Sequence, residues 1–86
     1  MDKETLLKRL YFRSHHRGSK ETDLILGPYA AAHLKLMDDT ALQEFEAFLD
    51  EEDNDIWDWV SGKCLPSSGR YQGLIASLRK NYALPH

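Results

Sequence analysis

The sequence of 86 residues contains a single cysteine, Cys64, and no long apolar run. One cysteine excludes an internal disulfide framework and is typical of a reducing compartment. No apolar segment approaches the roughly 20 residues that a membrane-spanning helix needs, so we expect no membrane insertion. The first residues, Met1-Asp2-Lys3-Glu4, carry acids and no apolar segment, unlike a signal or transit peptide. We therefore predict a protein of the bacterial cytoplasm that is complete from its initiator methionine.

The chain also lacks the residue patterns of an enzyme or of a cofactor-binding protein. Its length suits one small domain, which we place over residues 1–86, and is too short for a deep active-site pocket. The glycines are scattered and form no phosphate-binding loop. The histidines lack the spacing of a helical metal site. Cys64 lies beside Lys63, but nothing in the sequence supplies a general base to activate it. We therefore predict no catalytic residue, no metal ligand and no cofactor bound stably by this chain.

Charge is distributed unevenly along the sequence. Residues 1–20 contain six bases and two acids, and residues 59–86 contain four bases and no acid, whereas residues 38–58 contain ten acids and no lysine or arginine. Two interpretations stay open: the basic ends could lie across the acidic middle of the same molecule, or the two regions could orient a charged partner. The pI of about 5.7 and the acidic segment disfavour nucleic-acid binding, because a duplex would repel that face.

Apolar residues recur at helical spacing and predict a compact all-α bundle of about five short helices. The first helix is predicted over residues 4–16, and Gly18 is predicted to break the chain after it. The second helix is predicted to begin with Ser19 as its N-cap and to end near residue 35. Pro28 predicts either a bend in the second helix or two shorter helices. The predicted buried faces consist of Leu6, Leu7, Leu10 and Tyr11 in the first helix and Leu24, Ile25, Leu26, Tyr29, Ala30, Ala32, His33 and Leu36 in the second.

The third and fifth helices have the clearest apolar stripes. The third is predicted to begin at an Asp38 N-cap, or at a competing capping box over residues 40–43, and to end near residue 50. The fifth is predicted over residues 70 to about 83, before Pro85 stops it. The two stripes consist of Leu42, Phe45, Phe48 and Leu49, and of Tyr71, Leu74, Ile75, Leu78 and Tyr82.

A short fourth helix is predicted to begin at residue 56, after a cap at Asp53 or Asn54, and to close at Gly62. Its two tryptophans are two positions apart and so cannot both face the core. One is therefore predicted to be buried and the other half exposed. They are Trp57 and Trp59.

A charged stretch, Arg17-Gly18-Ser19-Lys20-Glu21, separates the first two helices, and Asp23 follows it. Gly18 lets the backbone turn, or lets another chain approach closely, because it has no Cβ. The arginine can fork onto a carboxylate or a phosphate, and the acids suit the positive end of a helix dipole. A helix–turn–helix junction held by a salt bridge would have the same pattern, so a structural and a binding role both stay open on these grounds.

The chain resembles the flavinylation factors of succinate dehydrogenase, the family of bacterial SdhE and mitochondrial succinate dehydrogenase assembly factor 2. The resemblance covers about residues 6–62 and centres on the family's Arg-Gly-x-x-Glu motif, here residues 17–21. Ser19 departs from the methionine usual in the family, and Thr22 stands where a larger apolar residue is common. The supporting segments are Asp23-Leu24-x-Leu26-Gly27, Tyr11-Phe12-Arg13-Ser14, the Leu-x-x-Phe-Glu-x-Phe-Leu stretch of residues 42–49, and Asp53-x-Asp55-Ile56-Trp57-Asp58-Trp59-Val60.

The resemblance implies a chaperone-like assembly factor rather than an enzyme. Members of the family bind the flavoprotein subunit of succinate dehydrogenase, and in some bacteria that of fumarate reductase, and they promote covalent attachment of FAD to a histidine of that subunit. FAD then belongs to the partner, and we expect this chain to be a monomer when free. The residues expected to contact the partner are Tyr11, Arg13, Arg17, Gly18, Ser19, Lys20, Glu21 and Asp23.

The alternative is a generic helical adaptor or regulator that binds another protein or nucleic acid through the basic first helix. Such an adaptor has no reason to carry the ordered motifs of residues 11–27 and 53–60. The two hypotheses also differ in salt dependence. Binding to nucleic acid weakens steeply as the salt concentration rises, whereas a mixed apolar and polar protein interface weakens less.

Overall fold

The computed structural model describes residues 2–82, and these residues form five α-helices and no strand. The predicted all-α bundle is confirmed. No helix within this range combines the length and the apolar composition needed to cross a bilayer. The helices are α1 (Lys3–His15), α2 (Lys20–His33), α3 (Asp39–Leu49), α4 (Asp53–Ser61) and α5 (Gln72–Tyr82), and a 3₁₀ turn (Leu34–Leu36) follows α2. The predicted end of the last helix and the stop at Pro85 lie outside the described residues.

The core brings together side chains from all five helices. Phe45 and Phe48 of α3 are its largest fully buried side chains. Phe48 packs edge-on against Tyr71, with 5.1 Å between ring centroids, and its ring centroid lies 5.9 Å from that of Trp59. Each large apolar side chain buried in this way contributes roughly 1.5–3 kcal/mol. The predicted stripe of α3 is confirmed, as is the prediction that one tryptophan is buried and the other, Trp57, is partly exposed.

Several apolar side chains that were predicted to be buried are exposed. Consecutive helical positions point about 100° apart, so a run of apolar residues cannot all face one core. In the run from Leu24 to Leu26, the last two are buried and Leu24 is exposed. Predictions of burial were wrong for Tyr11, Leu24, Ala32, Leu36 and Tyr82.

Helix α2 continues through Pro28 without interruption, so the alternative of two shorter helices is wrong. Proline removes the hydrogen bond to the carbonyl four residues earlier, which here belongs to Leu24. Since both residues are exposed, water can reach that carbonyl. Ile25, Leu26, Tyr29 and Ala30 are buried on both sides of the proline and hold the helix by tertiary packing.

Two helix ends follow local signals in the sequence. Asp38 caps α3, because its carboxylate accepts a hydrogen bond from the Ala41 N–H at 2.8 Å. Gly62 ends α4 in the left-handed region, at φ +92°. Both of these predictions are confirmed, and glycine is favoured at such a helix end because it has no Cβ.

The predicted N-cap position of α2 is confirmed, although its side chain makes no cap bond, and the predicted cap of α4 is wrong. Ser19 is the N-cap of α2, but its hydroxyl donates to the Glu21 carboxylate at 3.1 Å instead of capping the helix. The predicted cap of α4 at Asp53 or Asn54 is wrong, since Glu52 occupies that position and α4 begins at Asp53. The Asp53 carboxylate instead forms an ion pair with Arg17, in the connection between α1 and α2.

Candidate interaction site

Arg17 lies directly after α1 and anchors the connection between α1 and α2 to the rest of the molecule. Its Nε donates to the Asp53 carboxylate at 2.7 Å. Its two terminal nitrogens donate to the backbone carbonyls of Leu49 at 2.7 Å and Glu51 at 2.8 Å. The Arg17 side chain is only 10% exposed. The guanidinium carries its donors on three nitrogens in a fixed plane, and here each nitrogen serves a different acceptor, whereas a lysine presents all its donors on one nitrogen.

Residues 17–21, which begin with this arginine, are called the docking loop below. Its start is fixed by Asp23, whose carboxylate accepts the backbone N–H of Arg17 at 3.0 Å. Its end is fixed by Thr22, which is fully buried and donates to the Ser19 carbonyl at 3.2 Å. Between them, Gly18 has φ +90° and is exposed, and a Cβ built on it would meet no atom within 4 Å. The loop is therefore held from inside and presents its glycine to solvent.

Three arginines at successive turns pair with three acids from the acidic segment. Arg13 contacts Asp50 at 2.7 Å, and Arg9 pairs with Glu46 one turn earlier on both helices. The Arg17–Asp53 pair completes the series. Of the two interpretations of the uneven charge, the intramolecular one is therefore observed for these three arginines. The Arg9 and Arg13 pairs are more exposed than the Arg17 pair, and exposed pairs contribute little, typically below about 1 kcal/mol.

Glu51 links the anchored arginine to the start of α5. Its backbone carbonyl accepts from Arg17, and its carboxylate accepts from the Tyr71 hydroxyl at 2.8 Å. Tyr71 is buried and adopts φ +63°, which is uncommon for a residue with a side chain. Burial, and then the hydrogen bond and negative charge of Glu51, raise the pKa of Tyr71 to about 12. Arg70 adds a cation–π contact, 4.6 Å from the Tyr71 ring centroid.

An open apolar groove lies between α1 and α2, next to the docking loop. On α1, the Tyr11 ring lies 4.2 Å from that of His15, and the Phe12 ring lies 4.2 Å from that of His16. His15 packs against Gly27 of α2, where a Cβ would come within 3.0 Å of the imidazole. The name "α1–α2 groove" is used below for this surface, which is lined chiefly by Lys8, Tyr11, Phe12, His15, Ala31 and Lys35.

The predicted partner-contact residues do gather at one place, the junction of α1 and α2, but their exposure differs. Arg13, Arg17 and Asp23 make intramolecular hydrogen bonds. Ser19 is half-buried. The exposed members are Tyr11, Gly18, Lys20 and Glu21. Their contact with a partner stays a prediction.

Sequence reasoning did not include Phe12 and Leu24 in this site. Phe12 is 62% and Leu24 57% exposed, more than most large apolar residues of small proteins. Phe12 lies beside the basic residues of α1, off the stripe of Leu6, Leu7 and Leu10, so an aromatic residue outside the apolar stripe was the available signal. Leu24 is four residues after Lys20 and so shares its helix face.

The histidines and Cys64 were considered in the sequence as metal ligands or as a nucleophile. Within residues 2–82, no three His, Cys, Asp or Glu side chains are grouped so as to hold a metal ion. Cys64 is an exposed free thiol in the connection between α4 and α5. The rings of His15, His16 and His33 pack against Tyr11, Phe12 and Tyr29, respectively.

Comparison with known families is decisive here. The family model described as the flavinator of succinate dehydrogenase, Sdh5, matches residues 8–82, which include the docking loop and all of its anchors. The chain belongs to this flavinator family. The match also covers α5, beyond the part of the chain on which the resemblance in the sequence was based.

Curated relatives agree with this assignment. The chain is 39% identical to succinate dehydrogenase assembly factor 2, mitochondrial, of Cryptococcus neoformans, over 93% of its own length and 46% of the relative's. It is 44% identical to the factor of the same name in Mycosarcoma maydis, over 69% of its length and 25% of the relative's. The Candida glabrata factor is 47% identical over 62% of this chain and 35% of the relative. The chain thus spans less than half the length of these relatives.

Proposed function

We propose that this chain binds the flavoprotein subunit of succinate dehydrogenase through the docking loop and promotes covalent attachment of FAD to that subunit. The observation that carries the proposal is Gly18, which is exposed, has φ +90° and has no atom within 4 Å of a built Cβ. In a chain of the flavinator family, this geometry suits close approach of a partner's backbone. Arg17 and Asp23 hold the loop in that shape.

The mechanism we infer is stabilisation of one client conformation. A partner that binds one state more tightly shifts the population toward it. Correct alignment of reacting groups can itself lower a barrier by several kcal/mol. In this proposal FAD and the reacting histidine belong to the client, and the chain contributes no catalytic group. A fumarate reductase flavoprotein as a second client, a monomeric free state and a location in a bacterial cytoplasm are further parts of the proposal.

The test replaces Gly18 by arginine and compares it with a matched variant, Gly62→Arg. Both glycines have φ near +90° and open space around a built Cβ, so each substitution carries a similar backbone strain of roughly 1–2 kcal/mol. Only Gly18→Arg places a long side chain in the docking loop. The readout is covalent flavin on the flavoprotein subunit, seen by its fluorescence in a denaturing gel, in cells with the wild-type gene, a deletion or either variant.

We expect covalent flavin to fall strongly in the deletion and in Gly18→Arg and to stay near the wild-type level in Gly62→Arg. Unchanged flavin in the deletion would refute the proposed function. An equal fall in both variants would show that strain, rather than docking, causes the effect. The generic-adaptor alternative is addressed by the salt dependence of binding, because binding to a nucleic acid falls steeply between low and moderate salt.

A further inference from the structure

The α1–α2 groove is a second surface that continues from the docking loop. One face of α2 leads from the docking loop toward the groove. At helical spacing, this face contains Lys20, Leu24, Gly27 and Ala31. The loop end of this face carries Lys20, and its other end reaches the groove at Ala31. Gly27 itself is buried beneath the His15 ring, so a partner seated on the docking loop would reach the groove by crossing Leu24 and that ring. The groove has a volume of about 900 Å³, which is room for several side chains.

The α1 side of the groove carries two aromatic rings. Tyr11 is 47% exposed and Phe12 62% exposed. Their rings are held in place by stacking on His15 and His16 one turn later, so little side-chain entropy remains to be lost on binding. Rigid, half-exposed aromatic rings are the residues that most often supply binding energy in protein interfaces. This geometry favours apolar side chains in the occupant.

The charge of the groove has one sign. Its lining includes Lys8 and Lys35 and no carboxylate. Lys8 is contacted by Glu4 at 3.5 Å, in an exposed pair one turn apart on α1. Lys35 is exposed and makes no ion pair with any residue in the range 2–82. The acids of the acidic segment that reach α1 are paired with Arg9, Arg13 and Arg17, so Lys35 is left as the unpaired positive charge of the groove lining.

We propose that the α1–α2 groove binds an amphipathic segment of the client flavoprotein whose apolar side chains are flanked by carboxylates. The inference rests on the proposed function and adds a second contact to the docking loop. Apolar side chains of that segment pack on Tyr11 and Phe12, and its carboxylates face Lys35 and Lys8. Opposite charges across an interface mainly raise the association rate and fix the register of the partner.

The experiment measures the affinity for the purified flavoprotein subunit of succinate dehydrogenase by calorimetric titration. Phe12→Ala removes the exposed ring, and Lys35→Glu reverses the unpaired charge. Leu65→Ala and Lys63→Glu are the matched controls, since both residues are exposed in the connection between α4 and α5 and neither lines the groove. We expect each groove variant to lose affinity at least tenfold and each control to bind like the wild type.

A zero-length carbodiimide cross-link tests the chemistry of the occupant directly. This reagent joins a lysine amine to a carboxylate in contact with it, so Lys35 should become linked to an aspartate or glutamate of the client. Lys35→Arg restores the positive charge without the amine and should recover most of the affinity lost in Lys35→Glu while abolishing the link. Mass spectrometry then identifies the client segment, which should contain apolar residues beside the linked acid.

The outcomes separate this inference from the proposed function. If Gly18→Arg abolishes binding while Phe12→Ala and Lys35→Glu bind like the wild type, the groove inference is wrong and the proposed function stands. If the wild-type chain does not bind the flavoprotein at all, both are wrong. If the groove variants lose affinity only for a single-stranded RNA probe, the groove is a nucleic-acid surface and the inference is overturned.

Discussion

The Nε atom of Arg17 lies 2.7 Å from Oδ1 of Asp53, a residue 36 positions later in the chain. This pair joins the end of α1 to the start of α4. The same guanidinium also donates hydrogen bonds to the backbone carbonyls of Leu49 and Glu51. The arginine of the Arg-Gly-x-x-Glu motif is therefore a structural anchor in the free protein, and the residues after it form the exposed part of the motif.

Replacing Arg17 by alanine should lower the free energy of unfolding by about 2–4 kcal/mol, because two carbonyls and a carboxylate in a mostly buried place lose their donors. Arg9→Ala is the matched control. It breaks an arginine–carboxylate pair of the same series that is more exposed, so it should cost below about 1 kcal/mol. Urea denaturation of both variants checks this, and equal losses would contradict the assigned anchoring role.

Tyr71 should titrate late among the four tyrosines, since its pKa is raised to about 12. Ultraviolet absorbance at high pH should show one tyrosinate appearing near pH 12, and Tyr71→Phe should remove that step. The folded pKa exceeds the unfolded value, so the stabilisation by this proton is complete below pH 10 and is lost as the pH rises through about 12. A variant that keeps the late step would show that another tyrosine carries it.

Tyr71→Phe should also lower the free energy of unfolding below pH 10 by about 1.5–3 kcal/mol, which is typical of a hydrogen bond to a charged group. The difference from the wild type should shrink above that pH, as the wild-type hydroxyl ionises beside the Glu51 carboxylate. Thermal unfolding at neutral and alkaline pH measures this. A difference that does not change with pH would contradict the role given to the hydrogen bond.

Gly27→Ala should show unfavourable coupling to His15. Alanine is favoured over glycine inside a helix by roughly 0.5–1 kcal/mol, but here its Cβ would come within 3.0 Å of the His15 ring. We expect the substitution to give no gain in the wild type and to stabilise a His15→Ala background by that amount. A double-mutant cycle measures the coupling, and additivity of the two changes would refute the close packing of α1 on α2.

Asp38→Ala should lower the free energy of unfolding by about 1 kcal/mol, since it removes a side-chain cap bonded to the Ala41 N–H. Ser19→Ala should cost less than half of that. Ser19 occupies the equivalent position at α2 but makes no side-chain cap bond. Thermal unfolding of the two variants gives the comparison, and equal costs would mean that Ser19 caps its helix in solution.

Features set by neighbouring residues were predictable from the sequence. The Asp38 cap, the Gly62 stop and the buried stripe of α3 all depend on residues within one or two turns. The anchor of Arg17 depends on acceptors more than 30 positions away, and no local pattern shows which acid an arginine will choose. The predicted cap of α4 was wrong for the same reason. The Asp53 carboxylate pairs with the distant Arg17 and does not cap the helix that begins at Asp53.

Exposed apolar residues were the second feature that the sequence did not reveal. Helical spacing assigns Leu24 to an apolar run, but the choice of buried side depends on how α1 and α2 cross. At this crossing His15 lies against Gly27, a contact between residues 12 positions apart that helical spacing does not predict. As a result, the exposure of Leu24 could be recognised only in the folded chain.

The carbonyls bound by Arg17 stand at the carboxyl end of α3, where a helix has acceptors without intrahelical partners. The motif therefore acquires its shape only against a completed α3. A synthetic peptide copied from residues 11–24 would have the same sequence and no scaffold, so we expect it to compete poorly for the proposed flavoprotein partner. Blocking or transplanting the proposed contact surface calls for a folded miniature that carries both halves of the Arg17 anchor.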